Sequence, residues 1–82
     1  MAAQKEEFTF EITQPIGVIG EGKRGWRKEV NIVSWNGRPP KLDIRDWSEA
    51  HDKMGKGVTL SGSEARAMME LLADVDLDLL EE

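Results

Sequence analysis

The 82-residue chain has no cysteine, which rules out disulfide staples and thiolate zinc sites. Its one histidine, His51, has no second imidazole with which to hold a metal, and no serine or cysteine stands at a spacing that suggests a nucleophile. No apolar run approaches the roughly 20 residues of a membrane helix. Met1 to Glu7, carrying Lys5, Glu6 and Glu7, lacks the apolar stretch of a secretory signal. Only three prolines are present, two of them adjacent at Pro39-Pro40. These absences exclude a disulfide scaffold, a metal-thiolate module and a membrane protein, and the expectation is a cytoplasmic, non-enzymatic domain with no cofactor, no metal and no small-molecule substrate.

What remains is an ordinary globular composition, 39% hydrophobic and 33% charged. A chain this short buries only about 60% of its unfolded surface, so one domain is expected, with stability drawn in part from a subunit interface. The net charge of −5 is unevenly spread. Residues 61–82 carry one cation, Arg66, against seven anions, whereas residues 23–60 carry nine cations against five anions. A polyanion responds to local potential within about a Debye length, roughly 8 Å at physiological salt, so the basic half decides the partner.

Period-two alternation marks Phe8 to Ile12 as a strand with Phe8, Phe10 and Ile12 facing a core. A second β-branched run, Ile16 to Ile19, leads into the glycine- and charge-rich loop Gly20 to Gly25. Trp26 to Trp35 reads as a strand with Val30 and Ile32 on one face and Arg27, Glu29, Asn31, Val33 and Trp35 on the other. Asn36-Gly37 signals a tight turn, since both residues tolerate positive φ. Pro39-Pro40 cannot donate ladder hydrogen bonds and belongs to the connection. Lys41 to Trp47 alternates most clearly, with Leu42 and Ile44 inward and Lys41, Asp43, Arg45 and Trp47 outward. Ser48 to Lys56 reads as a loop, followed by a last strand, Val58 to Leu60, and then Ser61-Gly62-Ser63-Glu64, which fits a capping box. The helix it opens has Ala65, Met68, Met69, Leu72, Val75 and Leu79 at helical spacing, with Asp76 intruding on the apolar arc. The expected layout is one domain over 1–82: a flexible segment 1–7, a sheet over 8–60 and a helix over 61–80.

Two motifs match only by letter. Gly20-x-Gly22-x-x-Gly25 has the dinucleotide spacing but leads into a strand, not a helix. Asp74-x-Asp76-x-Asp78 lacks the glycine and the bidentate glutamate of a calcium loop, and reads as a solvated acidic helix end. The remaining signal is aromatic rings interleaved with cations: Lys23, Arg24, Trp26, Arg27 and Lys28; Trp35 with Arg38; Lys41, Arg45 and Trp47; Lys53 and Lys56. Rings stack on unpaired bases while cations neutralise the adjacent phosphates, so such a face suits a single strand. Trp35 and Trp47 share parity with polar residues and are expected to lie bare. Trp26 shares parity with Val30 and Ile32, and a core placement competes with an exposed one. The same Trp and Arg face also suits an RNA strand or a protein partner anchored on tryptophan.

Leu42-Asp43-Ile44-Arg45-Asp46-Trp47, then Lys53-Met54-Gly55-Lys56-Gly57-Val58-Thr59-Leu60-Ser61 and a carboxy-terminal helix, resembles the positive cofactor 4 family of transcriptional coactivators. Gly25-Trp26-Arg27-Lys28-Glu29 and Val33-Ser34-Trp35-Asn36 are similar to its short bacterial YdbC-like members. The resemblance implies an α+β fold, a curved antiparallel sheet of four strands followed by one helix (ββββα), paired through the helices into a homodimer that binds single-stranded DNA with little sequence preference. It implies stacking by Trp35 and contacts from Arg38, Arg45, the aromatic Trp47 and Lys56. Asn36 replaces the lysine that follows the stacking aromatic in eukaryotic members, and Pro39-Pro40 shifts the register near Arg38. The long regulatory tail of eukaryotic coactivators has no counterpart in this sequence, so the expected task is strand binding in transcription, replication, recombination or repair, at the nucleoid. Met68, Met69, Leu72, Val75 and Leu79 are the expected dimer seam.

Overall fold

A computed structural model describes residues 8–80 of the chain; the expectation for 1–7 falls outside them. Four strands, β1 (Phe10–Glu21), β2 (Arg27–Trp35), β3 (Lys41–Trp47) and β4 (Met54–Leu60), form one antiparallel sheet in sequence order, and helix α1 (Gly62–Leu72) follows. This is the expected ββββα arrangement.

The connections follow from local chemistry. Asn36 and Gly37 take φ of 54° and 74°, and Arg38 N–H closes the turn on the Trp35 carbonyl at 3.0 Å. Asn36 then acts as an extra ladder residue, since its N–H donates to the Thr9 carbonyl at 2.8 Å and its Oδ1 accepts from Thr9 N–H at 2.9 Å. The segment Gly20 to Gly25, expected to be a flexible loop, is instead the end of β1 and one tight 3-10 turn (Lys23–Gly25) closed by Gly22 N–H to the Trp26 carbonyl at 2.7 Å. The runs flanking Pro15 form one strand, not two, because β1 is a sheet edge where a missing N–H faces outward. Pro15 lies opposite Asn31, and the register slips three times along β1.

Those slips curl the sheet, as bulges do. Arg45 lies opposite Glu29, six residues along β2 from Trp35 and about 20 Å away on a flat strand, yet its guanidinium carbon sits 4.7 Å from the Trp35 ring centroid. Curling changes which face is the core. Val33, Trp47 and Asp43 are fully buried and Glu29 and Asn31 nearly so, all on the face expected to be open. Val30, Ile32, Leu42, Ile44 and Leu60, expected as the core, are only half-buried beneath a helix that touches β3 and β4.

The capping box forms as expected, with Glu64 N–H donating to Ser61 Oγ at 3.2 Å and Ser61 N–H donating to Glu64 Oε1 at 2.8 Å. The helix does not reach residue 80. It ends at Leu72, and a 3-10 turn over Leu77–Leu79 follows, because its last turn holds no basic residue and Asp74 and Asp76 stand where the negative end of the helix dipole repels them. Asp76 instead accepts from Asp78 N–H at 3.1 Å, capping the short turn.

Gly57 lets β4 approach the Arg45 backbone of β3 closely. A Cβ there would collide with Arg45 Cβ and the Ile44 carbonyl and lie 3.0 Å from Arg45 Cα. Gly57→Ala is expected to lower stability by about 1–3 kcal/mol, read as a reduced midpoint in urea unfolding; an unchanged midpoint refutes this packing.

Candidate nucleic-acid interface

The concave face is organised by a buried carboxylate. Asp43, with no exposed surface, accepts from Arg45 Nε at 2.7 Å and from Arg45 Nη2 at 2.8 Å, a bidentate pair whose geometry fixes the guanidinium plane. Thr59 Oγ1 donates to the same carboxylate at 3.0 Å, and Arg45 Nη1 donates to the Gly55 carbonyl at 3.3 Å. So held, the guanidinium lies over the Trp35 ring, a cation–π arrangement. Phe8 and Phe10 reach the same indole with ring centroids 5.6 and 5.9 Å away. A slot of about 220 Å³ opens among Phe8, Trp35, Arg45 and Thr59. Trp35 is half-buried, and its Nε1 is shut from solvent with no partner among the described residues.

Trp47 corrects the expectation of a second bare ring. It is fully buried, covered by Phe10 at 5.1 Å and His51 at 5.5 Å between ring centroids. Parity puts it on the aromatic face, but the curl folds that face inward and the β3–β4 loop closes over it. Ser48 shapes the loop: its Oγ accepts from Lys53 N–H at 3.0 Å and donates to Asp52 at 2.8 Å. His51, at φ 60°, then points its ring at β2.

His51 Nε2 lies 3.0 Å from both oxygens of Glu29. A carboxylate only accepts, so this nitrogen carries the proton. Asn31 Nδ2 donates to Glu29 at 3.1 Å, and Arg27 Nη2 stands 3.5 Å away. Burial alone would push the Glu29 carboxyl up, but the hydrogen bonds from Asn31 and His51 and the charges of His51 and Arg27 outweigh it and hold the group below its ordinary value of 4.5.

The expected cations divide by position. Arg27 and Arg45 join Trp35 and Trp47 on the concave face, and Lys41, opposite Val33, lies at its rim. Arg38 is exposed in the neighbouring turn, Lys53 is exposed in the β3–β4 loop, and the exposed Lys56 of β4 shares the helix-side parity of Val58 and Leu60. Lys28 is not part of this face. It shares the helix-side parity of Val30 and sits 4.0 Å from Asp46. Lys23, Arg24 and the half-buried Trp26 gather at the β1–β2 turn, at the opposite end of β2 from Trp35. Phe8, Phe10, Asp43, Glu29, Asn31, His51 and Thr59 were not expected in the site. The sequence does carry a trace of them, because Glu29-x-Asn31 and Asp43-x-Arg45 place charged and amide groups side by side on one strand face.

The match to a family model settles the relationship: that of "Transcriptional Coactivator p15 (PC4)" covers residues 23–71. The chain belongs to the PC4 family. An uncharacterized protein of Treponema pallidum (strain Nichols) is 45% identical over 73 residues, 89% of this chain and 86% of that protein. Membership in the PC4 family makes this a nucleic-acid-binding protein, and the matched span holds Trp35, Asp43, Arg45 and Thr59 together.

The Glu29 cluster sets an acid limit. With a lowered folded pKa, its contribution is present above 4.5 and is lost as pH falls through the folded value. Thermal melts from pH 7 to 3 are expected to show this loss in the wild type; Glu29→Gln costs about 1–3 kcal/mol at neutral pH and flattens the acid limb. Parallel pH curves for the two proteins refute the assignment.

Proposed function

We propose that this protein binds single-stranded DNA with little sequence preference, working as a homodimer and doing no chemistry on the strand. The observation that carries the reading is the slot over Trp35. An indole held in place by a fixed guanidinium and two phenyl rings, with a slot open among Phe8, Trp35, Arg45 and Thr59, is a ready surface for an unpaired base, and such stacking contributes about 1–3 kcal/mol per base. The exposed Arg38 and Lys41 offer charge to the phosphates beside it. Duplex DNA keeps its bases stacked inside and cannot use the slot.

Trp35→Ala is expected to weaken binding of a labelled single strand about ten- to hundred-fold by anisotropy. Lys41→Ala should reduce the slope of log affinity against log salt by roughly one charge or less. Equal affinity for duplex and single strand, or no loss in the Trp35 variant, refutes the reading. A competing RNA strand of the same sequence distinguishes the two nucleic acids.

The dimer reading rests on the apolar row left open beyond the sheet. Met69, Leu72, Val75 and Leu79 are 69%, 48%, 45% and 79% exposed, with Met68 half-buried beside them, and large exposed apolar surfaces mark association sites. A second copy laid against this row would also cover Val58 and the half-buried back of the sheet. Leu72→Asp is expected to give a monomer by light scattering, because it places a charge in the seam; a dimer that persists places the interface elsewhere.

A further inference from the structure

A second cavity, of about 270 Å³, opens on the concave face between β1, from Ile12 to Val18, and the Glu29–His51 cluster. It falls short of the roughly 300–1,000 Å³ of sites for drug-sized ligands, a size that suits one ring system. Ile12, Pro15 and Val18 make one wall apolar, and Gly17 leaves open space there, since an added Cβ would meet nothing within 4 Å. The other wall is polar. The Glu29 carboxylate only accepts, so the Asn31 side chain turns Nδ2 toward it, at 3.1 Å, and Oδ1 away. Asn31 is 2% exposed, yet this oxygen has no partner among the described residues and is not sealed from solvent. A buried side chain thus keeps one acceptor open at the cavity it lines. His51 turns its Nε2 proton to Glu29, which leaves Nδ1 of the neutral ring as a second acceptor, and the Arg27 guanidinium adds donors to the same wall.

A flat ring with apolar faces and a mixed polar edge matches both walls. We infer that the cavity takes one unpaired base of the strand stacked at Trp35, and that Asn31 Oδ1 accepts an N–H of its pairing edge. Asn31 shares the Trp35 face of β2, about 13 Å away on a flat strand, a distance that a few nucleotides cover. Every base has such an N–H, thymine at N3, cytosine at N4, adenine at N6 and guanine at N1, each beside an acceptor. The contact therefore admits all of them and ranks none. A duplex spends these same hydrogens on pairing, so the site recognises a base by its being unpaired. The inference rests on the strand-binding reading above and gives it a second anchor, one that depends on hydrogen bonding where the first depends on stacking.

The test leaves the protein unchanged and alters the strand. Oligo-dT is compared by anisotropy with an equal-length strand of N3-methylthymine, which keeps the stacking face and loses the N–H. The wild type is expected to bind oligo-dT about three- to ten-fold tighter, the worth of one hydrogen bond. In Asn31→Ala the two affinities are expected to become equal. In NMR titrations of the wild type, the Asn31 side-chain amide signals are expected to move with oligo-dT and to stay in place with the methylated strand, a readout independent of how well the variant folds. Equal wild-type affinities, a difference that survives in a folded Asn31→Ala protein, or Asn31 signals that ignore oligo-dT overturn the inference. Trp35→Ala separates the two readings. If it weakens both strands while the wild type binds them equally, only the cavity contact falls. If the wild type binds neither strand, the strand-binding reading falls and the contact with it.

Discussion

The concave face depends on a carboxylate with no access to water. Asp43 is tolerable in the interior because Arg45 meets it through two nitrogens and Thr59 through a hydroxyl. Removing one partner of such a pair typically costs about 3–5 kcal/mol, since the remaining charge is left buried alone. The pair therefore does more than hold strands together: it fixes a guanidinium plane against an indole, and the indole inherits that rigidity. The donors of Arg45 are themselves engaged within the fold, by Asp43, Thr59 and the Gly55 carbonyl, while its guanidinium face lies over Trp35. The exposed cations nearest this face are Lys41 at its rim and Arg38 in the neighbouring turn.

Curvature turns a row of residues into a site. On a flat sheet Trp35 and Arg45 stand apart, and the face they share is a strip open to solvent. The three register slips of β1 and the one between β3 and β4 wrap that strip so that its two ends touch. The space inside is then too narrow for every ring, and Trp47 is enclosed while Trp35 keeps an open side. Gly57 permits the wrap by letting β4 approach the Arg45 backbone.

Much of this was legible in the residues. The alternation in Lys41 to Trp47, the Asn36-Gly37 turn and the Ser61 capping box each encode local structure, and each forms as read. Family resemblance supplied the strand count. Burial was not legible, because period-two patterning assigns side chains to two faces without saying which face closes. Val30 and Ile32 look like a core and Glu29 and Asn31 like a surface until the curl reverses them. His51 illustrates the same limit. Read alone it is a loop histidine, and only the left-handed turn that carries it across to β2 makes it a partner for Glu29. The early end of the helix was foreshadowed by Asp76 alone.

One feature of the rim bears on how the protein behaves in concentrated solution. β1 is an edge strand with Ile16, Val18 and Ile19 largely uncovered, a composition that ordinarily invites sheets to extend from molecule to molecule. Here Pro15 deletes a donor in mid-strand, and the register slips leave the outer row of amides and carbonyls out of step. A neighbouring chain finds no unbroken template on which to lay itself. The same irregularities that curl the sheet around its ligand face thus guard its flank against fibrous growth.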